Sequence, residues 1–398
     1  INYKNKRLTM KKRMAIICST DYKSYPMGGM MSFILDSLDY LDKEYDITLW
    51  GVNITEKYDD YIENNGKKYP FKTFSKVNVG KKIIPNFVTV TYSMYKNKNK
   101  ILNGNYDILY IHGIPLSFPL FGTKAKVINH IHGMTNPFTM TPNKLARNSF
   151  SINLYEKYRG WVVKKSDMIL LASDKIGHKK FSSRFPEYKE KIKYIPNFAD
   201  TSIFVKIDKD KTREELSIGK NEIVLVNTGR ISLQKDPILL IKTFNYLIKE
   251  LNFNAKLVII GDGELRKQVE EFINHEKINE KVVITGKIDR QTINKWLNVA
   301  DLYVYTSHAN GFPISLAESA MCSLPIVTTD VNGVHDLVVD DFSGYLVQER
   351  SPTIIANNII RALEKKEIFS KNILSISNEF SPNNILNIIL NHFKDVIK

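Results

Sequence analysis

The residue types best spaced for chemistry lie between Ser307 and Thr329, in the run Ser307-His-Ala-Asn-Gly-Phe-Pro-Ile-Ser-Leu-Ala-Glu-Ser-Ala-Met-Cys-Ser-Leu-Pro-Ile-Val-Thr-Thr329. Its pattern predicts a loop with a glycine, a helix and a strand. The backbone N–H groups of Ile314, Ser315 and Leu316 would then stand at a helix start. Unsatisfied donors and the helix dipole make such a start suited to a phosphate or a sugar hydroxyl. The same letters also read as a capping box, Ser315-Leu-Ala-Glu318, with Glu318 reaching back to the cap N–H. From these residues alone both readings stay open.

A second segment, Asn227-Thr-Gly-Arg-Ile-Ser-Leu-Gln-Lys-Asp-Pro237, follows an apolar strand. It places Arg230 and Lys235 on one loop at a strand carboxyl end. Two fixed cations there suit a leaving diphosphate, whose charge grows as its bond to a sugar breaks. Two solvated surface cations would give the same letters. Gly28-Gly29 precedes a helical pattern and would let backbone approach a phosphate, or would simply turn the chain. His132 ends another apolar strand, where it is either a cleft residue or a histidine satisfied by the core.

The elements that must hold these residues are read from hydrophobic periodicity. Met14–Cys18, Asp46–Trp50, Ile108–Ile111, Lys126–His130 and Met168–Leu171 read as buried strands, with helices over Met30–Leu41 and Leu145–Lys165. The rhythm restarts with strands at Glu222–Val226, Ala255–Ile260, Lys281–Ile284, Leu302–Tyr305 and Pro325–Thr328, and helices at Pro237–Leu251 and Gly263–Asn274. Strands alternating with helices imply parallel sheets covered on both faces. Ile195–Asp200 and the charged stretch Lys206–Glu215 read as an interdomain linker. The expected architecture is α/β. It has one Rossmann-like domain over 1–200 and a second over 201–380. A terminal helix over 381–398 would pack back on the first domain. Ligands of such sheets bind outside the strand carboxyl ends, here in the cleft between the domains.

Composition bounds the rest. With 398 residues, 43% hydrophobic and 25% charged, the chain is neither disordered nor fibrous. No apolar run approaches the ~18 residues of a membrane span. Cys18 and Cys322 are too few for a disulfide framework and read as buried thiols in a reducing compartment. The basic start lacks a secretory apolar region, so a cytoplasmic protein is expected, with the residues before Met10 read as an extension. Lys+Arg 57 against Asp+Glu 42 gives a net charge of +15. A solvated lysine surface, nucleic acid, and an anionic membrane face are the three readings of that charge. No zinc-ligand spacing or aromatic RNA-binding signature supports nucleic acid. Lys67, Lys68, Lys72, Lys76, Lys81, Lys82, Lys96, Lys98 and Lys100 concentrate the charge in the first half.

The ordered set of motifs resembles the retaining glycosyltransferases of family 4, the glycosyl transferases group 1, which have the GT-B fold. It comprises Gly28-Gly29, His132-Gly133, Ile195-Pro-Asn-Phe-Ala-Asp200, Gly229-Arg230 with Lys235, Gly261-Asp-Gly-Glu-Leu-Arg266, Gly286-Lys-Ile288, Ala300-Asp301, and Asn310-Gly-Phe-Pro to Glu318. The resemblance implies transfer of a hexose-type sugar, with retention, from a nucleotide-diphosphate sugar, a UDP-sugar as first expectation. The acceptor would be a glycan or lipid-linked one, in surface polysaccharide, capsule or glycolipid synthesis. It implies catalytic roles for His132, Arg230, Lys235 and Glu318, with Arg230 and Lys235 on the diphosphate and Glu318 on the donor ribose. Donor contacts would come from Gly28, Gly29, Gly229, Gly261, Gly286, Ile288, Asn310, Gly311, Phe312, Pro313, Ile314, Ser315 and Leu316. Neither a metal nor a cofactor is implied, and no nucleic acid. One departure stands out: the family has two glutamates with seven residues between them, and here the first position is Asn310. An amide carries no charge to stabilise a developing cation. Asp330 or Asp336 would be candidates to compensate. The alternative is a non-catalytic partner subunit of an active transferase.

Overall fold

The computed structural model describes residues 11–22, 28–53, 60–76, 86–134, 136–139, 147–308 and 311–397. The chain builds its first sheet from β1 (Lys12–Cys18), β2 (Tyr45–Asn53), β3 (Tyr61–Asn64), β4 (Lys67–Lys76), β5 (Ile108–His112), β6 (Lys126–Ile131), β7 (Met168–Leu171) and β8 (Ile192–Tyr194). Their spatial order is β3-β4-β2-β1-β5-β6-β7-β8. All neighbours are parallel except β3 and β4, which form an antiparallel hairpin. The connecting helices are α1 (Gly29–Leu41), α2 (Asn86–Leu102), α3 (Ser149–Lys165) and α4 (Lys175–Ser182). Met14 to Cys18 is buried throughout, as a central parallel strand covered on both faces must be.

After α5 (Lys209–Glu215) a second sheet follows, from β9 (Ile223–Thr228), β10 (Ala255–Ile260), β11 (Val282–Gly286), β12 (Leu302–Tyr305), β13 (Ile326–Thr329) and β14 (Gly344–Val347). It is parallel, in the order β11-β10-β9-β12-β13-β14. Its helices are α6 (Pro237–Lys249), α7 (Arg266–Glu276), α8 (Arg290–Val299), α9 (Ile314–Met321), α10 (Pro352–Glu364) and α11 (Lys366–Ser377), and α12 (Pro382–Ile397) ends the chain. Helix starts are set by local chemistry. Asp236 accepts from the Leu239 N–H ahead of Pro237, and Asp289 from the Thr292 N–H.

The strands follow the apolar runs closely, and the short or lysine-rich ones, β3, β4, β8 and β14, have no such signature. The helix expected from Leu145 starts at Ser149, behind an Asn148 cap; residues 140–146 lie outside the described residues. The segment read as a linker is not a solvated tether. Ile195, Phe198 and Ala199 are fully or almost fully buried, and Lys209–Glu215 is a helix packed on α8. Arg213 explains why: its guanidinium is buried, donates to the carbonyl oxygens of Val299, Gly219 and Glu222, and pairs with Asp301 at 3.6 Å. A charge run signals solvent only where its charges lack buried partners. Cys18 and Cys322 are buried free thiols.

Helix α12 leaves the second domain and packs against α1 of the first. Ile385, Leu386, Ile389, Leu390 and Phe393 recur at helical spacing and join the core beneath β1 and β5. The Phe393 ring lies 5.0 Å from Tyr110 and 6.1 Å from Tyr45. Phe393→Ala is expected to cost about 3–5 kcal/mol, as large-to-small changes in packed cores do. Urea unfolding followed by a probe of the first domain checks this. A midpoint indistinguishable from that of the parent chain would show that α12 is not part of this core.

Candidate functional site

Because β9, β10, β11 and β12 are parallel neighbours, the loops that follow them leave from one edge of the sheet. Arg230, Gly261, Gly286, Ser307, His308 and Gly311–Pro313 therefore share the carboxyl end. Two glycines let these loops close up. Gly261 has φ +143° and a side chain there would overlap the Gly229 carbonyl. Gly311 lies so near the His132 and Ala172 carbonyl oxygens of the first domain that a Cβ would overlap the former and stand 2.6 Å from the latter. The Phe312 N–H donates to Ala172 O at 3.2 Å, and Asn197 Nδ2 to Phe312 O at 2.6 Å. The loop before α9 is thus fastened to the carboxyl ends of β6 and β7. His132 and the 311–316 segment meet at the domain boundary. Gly29, at the start of α1, faces Ile314: a Cβ on Gly29 would lie 3.3 Å from Ile314 Cδ1. Two helix N-termini, one from each domain, therefore adjoin.

Arg230 is exposed on its loop. Lys235 is half-buried; its Nζ donates to Tyr305 Oη at 2.6 Å and lies 5.0 Å from that ring's centre. Burial lowers the Lys235 ammonium to about 8, so a nearby anion would restore its charge fully. The loop is stiff. Arg350 donates to Asp236 Oδ2 at 2.6 Å and to Thr306 O and Ser307 O at 2.8 Å, and the His308 N–H donates to Gln234 O. Gly286 is buried at the end of β11, and Ile288 packs half-buried against the second core. Gly28 is exposed at the N-cap of α1.

The capping box does not form. Pro313 is the N-cap of α9, without a side-chain cap bond, and Ser315 hydrogen-bonds instead to the Tyr303 phenol. The Leu316 N–H is spent on Pro313 O at 3.1 Å, leaving those of Ile314 and Ser315 at the helix mouth. The Glu318 carboxylate has no hydrogen-bond partner among the described residues. Burial, opposed by Arg290 and reinforced by Asp36 and Asp200, raises its carboxyl to about 7. Asn310 lies outside the described residues. The two carboxylates considered as substitutes are engaged elsewhere. Asp336 Oδ2 accepts from the Tyr194 hydroxyl at 2.5 Å and the Lys175 N–H at 2.9 Å, and Asp330 binds His335.

Below the loop three histidines stack. The rings of His130 and His132 are 4.1 Å apart at 22°, and those of His112 and His132 are 5.0 Å apart at 18°. His112 Nδ1 and His132 Nε2 share a hydrogen bond of 2.7 Å, and the Tyr110 hydroxyl meets His130 Nδ1 at 2.6 Å. Ring nitrogens of the three lie within 4.8 Å of one another, and one nitrogen each of His112 and His132 is spent on the bond between them. Burial keeps all three neutral, with His132 lowered to about 3 despite the opposing influence of Asn197. His132 is therefore an uncharged imidazole whose Nε2 is bonded to His112 and whose Nδ1 is buried, while its carbonyl oxygen meets Gly311. His112 and His130, cross-strand partners in the β5–β6 register, escaped the sequence reading. The signal was a titratable residue ending an apolar strand.

Residues 208–374 match the family described as Glycosyl transferases group 1. They are a glycosyl transferases group 1 domain. An uncharacterised glycosyltransferase of Methanocaldococcus jannaschii is 25% identical over 90% of this chain and 91% of its own length. The UDP-Gal:alpha-D-GlcNAc-diphosphoundecaprenol alpha-1,3-galactosyltransferase of Escherichia coli is 29% identical over 46% of this chain and 48% of its own. Among solved structures, sucrose-phosphate synthase from Thermosynechococcus elongatus superposes with a TM-score of 0.80 at 14% identity, covering 97% of this chain and 99% of that one. Anabaena HepE, in complex with UDP and glucose, gives 0.71 at 16% identity, over 96% and 99%. The fold is GT-B. The group 1 domain holds Arg230, Lys235 and Glu318, and the domain before it supplies His132.

A separate cluster fastens the group 1 domain to its partner. Asp174, fully buried at the start of α4, accepts from the N–H groups of Gly177 and Gly333 and meets His335 Nδ1 at 2.5 Å. His335 Nε2 lies 2.7 Å from Asp330 Oδ1. Both ring nitrogens face carboxylates, so the imidazolium is the form that satisfies them. The bond to Asp174 leads in raising the His335 value above the ordinary one. A raised folded-state value stabilises fully below about pH 6.5, and that stability fades as pH rises through the folded value. His335→Gln is therefore expected to destabilise by about 1 kcal/mol or more at about pH 6. The gap to the parent chain should narrow by about pH 9. Equal gaps in denaturant unfolding at the two pH values would contradict the ion-pair assignment.

Proposed function

We propose that the protein is a retaining glycosyltransferase that moves a hexose-type sugar from a nucleotide-diphosphate sugar, a UDP-sugar first among the candidates, to a glycan or lipid-linked acceptor. The observation that carries this reading is the arrangement at the carboxyl end of β9–β12. Arg230 and Lys235 share a loop there, and α9 presents Glu318 and two N–H groups beside His132. Arg230, Lys235 and the helix mouth at Ile314 and Ser315 would take the diphosphate, with Gly28 and Gly29 approaching it from the first domain. Fixed cations that need no reorganisation stabilise the charge that grows on a leaving diphosphate. This reading assigns that work to side chains rather than to a metal ion. Glu318 would accept from the donor ribose. Gly229, Gly261, Gly286 and Ile288 would shape the wall around the base, and Gly311, Phe312, Pro313 and Leu316 the wall around the sugar. Neutral His132 would contact the transferred sugar, and Asn310 would take the place of the family's first glutamate.

Hydrolysis and thermal stabilisation across a panel of UDP-, GDP- and ADP-sugars test the activity, and NMR of the product's anomeric centre tests retention. Arg230→Ala is expected to lower turnover by roughly 10²–10³-fold without a loss of melting temperature, since the side chain is exposed. Glu318→Gln, which removes no cap, should weaken donor binding with the fold intact. Wild-type turnover in a folded Arg230→Ala protein would rule the diphosphate assignment out. No turnover and no binding of any donor by the parent chain would favour the partner-subunit alternative.

We further infer a cytoplasmic location with peripheral contact to anionic membrane through the first domain. No helix among the described residues is long and apolar enough to cross a membrane. Helix α2 and its surroundings expose Tyr92 (58%), Tyr95 (50%) and Phe118 (47%), with Lys96 and Lys98 against the two tyrosine rings. Lys67, Lys68 and Lys72 add charge on β4; Lys81 and Lys82 lie outside the described residues. Each such cation is worth about 1 kcal/mol near an anionic surface and is screened by salt. Lys96→Glu with Lys98→Glu should reduce co-sedimentation with phosphatidylglycerol vesicles at low salt. Equal binding of the parent chain to phosphatidylcholine vesicles would sink the inference.

A further inference from the structure

Arg290 opens α8 in the group 1 domain, and Asp36 lies on α1 of the first domain, 254 residues away in the chain. Nη1 donates to Asp36 Oδ1 at 2.7 Å and Nη2 to Oδ2 at 2.9 Å, the two-pronged geometry that fixes a guanidinium against a carboxylate in both distance and angle. The pair is largely buried, at 20% and 11% side-chain exposure. The guanidinium also stands 5.4 Å from the centre of the Phe204 ring, and Asp200, in the segment between the sheets, lies 3.8 Å from Nη1. Glu318 interacts with the same cation. One guanidinium thus serves three carboxylates from the first domain, the connecting segment and α9.

We propose that Asp36 and Arg290 are positioning residues for the donor site, their fork fixing how α1 approaches α9 and setting the electrostatic field in which Glu318 meets the donor. The proposal rests on the reading of Glu318 as a donor contact. The fork joins α1, whose N-terminus faces Ile314, to α8, whose Asn294 accepts from Cys322 Sγ at the end of α9. A change at the fork is therefore felt at both ends of the helix that carries Glu318. The charged and titratable groups that face Glu318 are Arg290 on α8, Asp36 on α1 and Asp200 in the connecting segment, with Cys322 on α9 itself. Removing Arg290 takes away the cation that favours the Glu318 carboxylate, and removing Asp36 takes away an anion that disfavours it. Either change breaks the same bond, yet their electrostatic consequences at Glu318 have opposite signs.

The test is calorimetric binding of UDP, GDP and ADP to the full chain between about pH 5.5 and 9, using the diphosphate that binds the parent chain most tightly. Affinity is expected to rise with pH as Glu318 ionises near 7, and to fall in every variant once the Lys235 ammonium loses its proton above about 8. Arg290→Gln should move that rise to higher pH, and Asp36→Asn to lower pH, each by about one unit. Glu318→Gln should remove the rise. Arg290→Lys keeps the charge and loses the fork. It should hold the parent pH profile with affinity lower by about three- to tenfold, and it serves as the test if the two neutral variants do not fold. Shifts of the same sign in Arg290→Gln and Asp36→Asn, or parent-like affinity in Arg290→Lys, would overturn the positioning role. In either case the Glu318 reading would stand, provided that Glu318→Gln loses the rise with pH. A Glu318→Gln protein with the parent profile would instead refute the Glu318 reading itself.

Discussion

The site depends on one close approach of backbone to backbone. Gly311 of the group 1 domain sits against the carbonyl oxygens of His132 and Ala172, and Gly333 in turn packs so closely on Gly311 that a Cβ there would overlap its carbonyl. Four stretches of main chain meet there with no side chain between them. No other residue type permits that spacing, and none of the contacts survives a shift of one residue in register. The approach puts the start of α9 beside the end of β6, so a helix N-terminus from one domain adjoins the main chain of His132 in the other. Hydrogen bonds from Phe312 to Ala172 and from Asn197 to Phe312 then lock the arrangement. Without this contact the two parallel sheets would still fold, but His132 and Glu318 would belong to separate sites.

Most of this frame could be read from the letters, because buried parallel strands are near-continuous apolar runs and their periodicity is insensitive to context. Five strands of the second sheet fell within a residue or two of their observed limits, and β14 was missed. What escaped was of two kinds. Strands β4 and β8 carry lysines or span three residues, so no pattern rises above that of a loop. The interdomain partners escaped for a different reason. Asp36 lies between the apolar Leu35 and Leu38 of an amphipathic helix, and Arg290 follows the Asp289 cap of another, so each reads as a solvated charge. Only the tertiary fold brings them to 2.7 Å. The Ser315–Glu318 ambiguity was of the same type. A capping box and a ligand-facing carboxylate share one spelling, and the outcome turned on where the helix starts: Pro313 is its N-cap, so Ser315 is already inside it.

Charge at the cleft is arranged with little compensation inside the protein. Lys235 is held near a phenol and an aromatic face, and burial pulls its ammonium down to about 8. Glu318 sits with two other carboxylates around one guanidinium and is raised to about 7. His132 is held neutral. Structural ion pairs elsewhere in the molecule behave differently. Asp301 is lowered, as Lys209, the Val224 N–H and Lys366 together outweigh its burial. Groups destabilised in their charged forms cluster at functional sites more often than elsewhere, because protein interiors otherwise satisfy or neutralise such groups.

The side-chain fastenings at Asp174 and at Arg290 differ in what they ask of the chain. At Asp174, one fully buried carboxylate gathers two backbone N–H groups and an imidazolium, so most of its bonds do not depend on long side chains and little motion is allowed there. At Arg290 the contact is carried by side chains alone, a flexible arginine against a helix-borne aspartate, with Asp200 and Glu318 competing for the same cation. A contact of this second kind can open or tilt without breaking backbone hydrogen bonds, because water can replace each prong of the fork. If the domains move to admit a donor, the Asp174 cluster has the character of the fixed end and the Arg290 fork that of the yielding one. That asymmetry places Glu318 nearer the yielding contact, where a change in domain approach alters both its position and its charge.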